Sequence, residues 1–205
     1  LADGKPNLSA PAPRTADGKP DLSGIWQVRR ASTDRQYGYD FDMTQDLAAD
    51  ALTPWARALR QQRLQELRKD SPLARCMPVS VSFLNFRSLS RIVQTPGLIV
   101  TLHESPNSPH RTIFTDGRDL PQDPNPTWLG YSAGHWEGDT LVVTTAGFND
   151  MGWLDVGGSP QTESLRLTER FRRPDFGHLE LEVTFDDPKT FTKPVSLRIV
   201  KTYAA

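Results

Sequence analysis

Cysteine is nearly absent from this chain of 205 residues: Cys76 is the only one, so no disulfide can form within the chain. That leaves both reducing and oxidising compartments open. Charge of one sign is also missing, with 24 Lys and Arg against 25 Asp and Glu. A balance this even supplies no basic field for a phosphate backbone, which argues against nucleic acid as a partner. No apolar run approaches the ~20 residues of a membrane-spanning helix, so membrane insertion through a helix is not expected. The sequence also lacks a phosphate loop, a dinucleotide fingerprint and a nucleophile elbow, and Gly134–Gly138 is followed by no helix. The four His (His103, His110, His135 and His178) contain no i,i+4 pair, and Cys76 has no CxxC partner, so no metal site and no cofactor are expected.

The rest of the chain reads as β structure. Seventeen Pro fall largely between short apolar runs, as in loop-rich β proteins. Thr95-Pro96-Gly97, Gly138-Asp139 and Pro174–Gly177 are turn signals, each flanked by strand-like segments. From residue 79 onward the signal is β throughout. Strands are expected at 22–29, 91–94, 98–104, 110–116, 134–137, 140–146, 164–172, 178–186 and 195–201. Short hairpin loops require antiparallel pairing, and closing the sheet removes its exposed edges. The expected fold is therefore mainly β: an antiparallel, lipocalin-like (calycin-type) barrel of about 8–10 strands with one helix. The helix is placed near 54–69, with Thr53 as N-cap and Pro54 at its first position. Residues 31–52 read as a long loop.

Residues 1–20 read as a flexible tether before a single domain at 21–205. The tether holds a repeat, since ADGKPNLS at Ala2–Ser9 returns as ADGKPDLS at Ala16–Ser23. The start at Leu1 without Met, and the run Ala10-Pro11-Ala12-Pro13, resemble the segment just behind a cleaved export signal. The expected location is periplasmic or secreted.

Three stretches carry a family resemblance: Asp17–Trp26 (DGKPDLSGIW), Arg91–Arg118, and Pro126–Asp186 with WEGDTLVV and ERFRRPD. Together they resemble a family of secreted, largely uncharacterised bacterial proteins found in soil and aromatic-degrading bacteria. The resemblance implies a lipocalin-like barrel opened by Gly24-Ile25-Trp26, and export. It implies no reaction. The chain departs from many relatives at Thr162-Glu163, where they carry His before the Glu.

Alternation decides which polar side chains point inward. Along 164–172 one face reads Leu165, Leu167, Glu169, Phe171, so Glu169 is the polar exception on an apolar face. It is either half of a buried Glu–Arg brace or an acid/base or ligand-anchoring group. Arg111 shares a face with Ile113 and is the inward Arg expected to anchor an anion, or to pair with Glu169 or Asp116. His103 alternates with Thr101 and Ile99 and faces the interior. Tyr131 and His135 are the candidate proton donors, each with a plain reading as a packing aromatic or a solvent-side His beside Glu137. The Gly-rich segment 148–163 suggests a hinged lid carrying Trp153 and Asp155.

These residues support two functional expectations. In the first, the barrel is a cofactor-independent lyase or isomerase moving a proton on a small hydrophobic or aromatic molecule. Glu169 or Asp155 is the base, Tyr131 or His135 the acid, and Arg111, Trp153 and His103 bind substrate. In the second it is a lipocalin-like periplasmic carrier with no chemistry, needing only an apolar pocket and one or two orienting groups. Homo-oligomer formation stays open.

Overall fold

The computed structural model describes residues 6–28, 41–87, 89–104, 107 and 109–204. It is a closed barrel of nine strands joined in sequence order: β1 (Gly24–Val28), β2 (Ser90–Thr95), β3 (Leu98–His103), β4 (Arg111–Phe114), β5 (Tyr131–Glu137), β6 (Thr140–Ala146), β7 (Arg166–Arg172), β8 (His178–Asp186) and β9 (Val195–Tyr203). β9 closes on β1 through Trp26↔Tyr203 and Val28↔Lys201. All pairs are antiparallel except β4–β5, which is parallel. The long connection 115–130 makes this possible, because it carries the chain back across the barrel before β5 begins. The sheet is thus mixed at one seam, where uniform antiparallel pairing was expected.

Alternation holds along β7, β8 and β9. Leu167 and Phe171 of β7, Leu179–Phe185 in steps of two on β8, and Val195, Leu197 and Ile199 of β9 are all buried. Register fixes the two ends. At the base, the Trp26 indole donates to the Leu22 carbonyl at 3.0 Å. The Tyr203 ring meets Trp26 edge-on at 5.7 Å. The Arg173 guanidinium lies 4.8 Å from the Trp26 ring and donates to the carbonyls of Asp21, Ser23 and Phe176. One Arg thereby satisfies two backbone oxygens of the DGKPDLSGIW stretch and one of the β7–β8 turn.

The described part of the N-terminal stretch packs on the barrel. The Phe176 and Gly177 amides donate to the Ala10 and Leu8 carbonyls, both at 2.8 Å. A Cβ at Gly177 would stand 2.5 Å from that of Leu8, so only glycine admits this approach. Arg14 bonds Asp139 with both terminal nitrogens, at 3.0 and 2.7 Å. The described end of the first repeat therefore sits on the β7–β8 turn, while the second repeat places Leu22 in the core. The start of the first repeat, and residues 29–40 of the expected strand end and loop, lie outside the described residues.

The opposite end carries a helix in a region where only β structure was expected. α2 (Val81–Arg87) is a short helix whose residues from Val81 to Phe86 are all buried. Phe86 stacks on Phe41 at 4.7 Å and lies against Phe185. A helix buried on all sides shows no amphipathic period, and Val-Ser-Val-Ser in its approach alternates like a strand.

α1 (Pro54–Gln65) packs outside the barrel, with Ala56 buried. It stops short of the expected residue 69 because Leu67 and Arg68 both adopt left-handed backbone, with φ of 54° and 57°. The Arg68 amide then closes the helix on the Arg63 carbonyl at 2.7 Å. The expected N-cap forms: Thr53 Oγ1 accepts from the Ala56 amide at 3.2 Å and donates to the Lys189 carbonyl at 2.7 Å. Thr53→Ala should lower unfolding free energy by about 1 kcal/mol in urea titrations. A loss below ~0.3 kcal/mol would show that the cap carries no stability.

Candidate functional site

Between the apolar base and the α2 plug, the barrel interior holds a layer of polar side chains. Glu169 on β7 is fully buried and Arg111 on β4 is 4% exposed. The Arg111 guanidinium grips both carboxylate oxygens, with its Nη1 2.9 Å from Oε1 and its Nη2 on Oε2. Asn85, on the inner side of α2, donates to the same Oε1 at 2.7 Å. The remaining Arg111 donors reach Ser132 Oγ on β5 at 3.1 Å and Thr145 Oγ1 on β6 at 2.8 Å. Five elements thus converge on one ion pair, and the plug is tied to it. A buried carboxylate without such donors is several kcal/mol unfavourable.

A second group lies on the β1–β2–β3–β9 side. Lys201 is 3% exposed, and its Nζ donates to Ser90 Oγ at 3.3 Å. Burial is the main force lowering its ammonium pKa to about 8, Arg111 lowers it further, and Glu169 opposes the shift. His103, at the end of β3, exchanges a hydrogen bond with Thr101 Oγ1 at 2.9 Å. Burial, then the charges of Lys201 and Arg111, hold its imidazole at about 3, so it is neutral at ordinary pH.

The candidate residues do not all meet. Glu169, Arg111 and His103 face the interior as alternation requires. The open choice for Arg111 falls to Glu169, since Asp116 pairs with Arg118. With each of its three nitrogens bonded to Glu169, Ser132 or Thr145, Arg111 serves as an internal brace and is not presented as an anion anchor.

Tyr131 and His135 sit on the outer face of β5. The Tyr131 hydroxyl donates to the Asn125 carbonyl at 3.1 Å, and His135 Nε2 lies 3.2 Å from Glu137 on the surface. Both belong to the register that alternates with buried Ser132 and Gly134, so neither can hand a proton to a group inside the barrel.

Asp155 is buried in the 148–163 segment. It accepts from the Ser159 amide at 3.0 Å and hydroxyl at 2.7 Å. Burial raises its pKa, the Ser159 bonds oppose this, and the nearby charges are Asp42 and Arg60. It closes a turn within its own loop. That loop is no hinged lid: Gly152–Asp155 and Gly157–Thr162 are buried and pinned. Gly157 and Gly158 pack against the Arg60 and Arg63 side chains of α1, and Trp153 lies under the Arg63 guanidinium at 4.6 Å. Trp153 instead lines a cleft of about 260 Å³ with Phe83, Val156 and Leu73, outside the barrel.

Sequence reasoning missed Lys201, Ser90, Asn85, Ser132 and Thr145. For Lys201 a signal exists. Val195, Leu197, Ile199 and Lys201 repeat on β9 the pattern that exposes Glu169 on β7. Asn85 carries no such signal, because its helix is not legible in the sequence. Among the described residues no three His, Cys, Asp or Glu gather as a metal-binding group.

No protein-family model matches this chain, and no curated protein or solved structure matches it either.

Proposed function

We propose that this barrel is a binding protein, taking a small hydrophobic or aromatic molecule into its interior, as a carrier does. The observation that carries the reading is the pattern of satisfaction in the polar layer. The Arg111–Glu169–Asn85 group bonds its members to one another and to Ser132 and Thr145, which braces the walls and holds α2. Lys201, by contrast, keeps a single, long side-chain hydrogen bond. Apolar walls with one unsaturated polar group are suited to an orienting binding site.

Acid–base turnover of the lyase or isomerase kind fits this geometry less well. It requires a base with a free lone pair beside a proton donor. Glu169 is gripped by Arg111 and Asn85, Tyr131 and His135 face outward, and Asp155 belongs to a separate loop.

The test is a panel of small aromatic and aliphatic compounds read by thermal unfolding, with crystal structures of the best hits. Saturating a site at ~100 times Kd contributes about 2.7 kcal/mol. For a chain of this size that is a rise in Tm of about 5–10 °C. Ligand density inside the barrel supports the reading. A flat panel, or density only in the Trp153 cleft, refutes it.

A further inference from the structure

The interior charges do not balance. Arg111 and Glu169 cancel each other in a bidentate pair. Lys201, equally buried, has no carboxylate within ion-pair distance among the described residues, and its one side-chain bond is the 3.3 Å contact with the Ser90 hydroxyl. The groups facing it are Ser90 from β2, His103 from β3, Arg111 from β4 and Glu169 from β7. His103 is neutral, and Glu169 is already committed to Arg111 and Asn85. An ammonium has three donors, and a buried one is retained only where something accepts from it.

We propose that Lys201 is the docking point for the acid group of the ligand, so that the class of molecule bound is a small hydrophobic or aromatic carboxylic acid, held as its carboxylate. This rests on the binding reading above and names its ligand. The carboxylate supplies the negative charge that the layer lacks, and its apolar body lies against the aliphatic wall. Above pH 8, where the free amine is largely neutral, the complex must take up a proton.

The probes are naphthalene-2-carboxylate and its neutral isostere naphthalene-2-carboxamide, titrated by calorimetry into the intact chain and into Lys201→Met and Lys201→Arg. At pH 7 the wild-type chain should prefer the carboxylate by about 10- to 100-fold, the range of one charge-assisted hydrogen bond. Lys201→Met should erase that preference and Lys201→Arg keep part of it. Above pH 8 the carboxylate affinity of the wild type should fall about tenfold per pH unit, with proton uptake visible across buffers of different ionisation enthalpy. In Lys201→Met it should be flat.

Equal affinity for both probes in the wild type would overturn the proposal and leave the binding reading standing. So would a preference that survives Lys201→Met. Failure of both probes to bind, together with a flat panel, would remove the two together.

Discussion

Arg111→Met should lower the unfolding free energy by about 3–5 kcal/mol, the largest loss expected from any single polar substitution in the barrel. The replacement fills much of the same volume, so packing changes little. The change falls on Glu169, left fully buried with Asn85 as its one side-chain donor. Ser132 and Thr145 retain each other at 2.9 Å, so the deficit is concentrated on the carboxylate. The double replacement Arg111→Met with Glu169→Met removes the stranded charge and should recover most of the loss. Chemical denaturation of the two singles and the double forms a thermodynamic cycle. A double variant no more stable than Arg111→Met would mean that the pair contributes by shape rather than by charge.

Lys201→Met is expected to act in the opposite direction. The folded-state pKa of Lys201 lies near 8, below the value of about 10.5 for an unfolded lysine. Between those pH values the unfolded chain binds the extra proton, so wild-type stability rises with pH across that window. Below pH 8 the full penalty of the buried ammonium is present, about 3 kcal/mol by the usual conversion. Lys201→Met should therefore be more stable than wild type at pH 7 by up to that amount, and the two stability curves should converge by about pH 10–11. A Lys201→Met chain that is less stable at pH 7 would contradict the placement of an uncompensated cation in the core. A residue retained at such a cost to stability fits a role in binding.

The two residues differ in how legible they are in the sequence. Glu169 falls in the middle of a strand bounded by clear turns, where an acidic residue among Leu165, Leu167 and Phe171 is conspicuous. Lys201 stands at the end of the expected strand, where a lysine reads as a solvated terminus. The structure continues β9 to Tyr203 and closes it on β1, so the terminal position becomes an interior one. Tyr131 and His135 show the same rule from the other side. Their outward register follows from alternation, and the roles expected of them require the opposite face. Asp155 fails for a different reason: a Gly-rich loop looks free in sequence, and only its packing against Arg60 and Arg63 shows it to be fixed.

The sequence by itself determined most of the barrel's strands and turns, and the inward face of the strands at 164–172 and 178–186. These depend on local properties: backbone geometry at Pro, Gly and Asp, and a side-chain period of two. Only the tertiary structure decided that β4 and β5 run parallel, that Val81–Arg87 coils into a plug, and that Arg111, Glu169 and Asn85 form one bonded unit while Lys201 does not. Each of these depends on contacts between residues far apart in the chain. A fully buried helix has no polar face to announce it. Which of two inward cations claims the single inward carboxylate is settled by where the closed barrel brings their atoms.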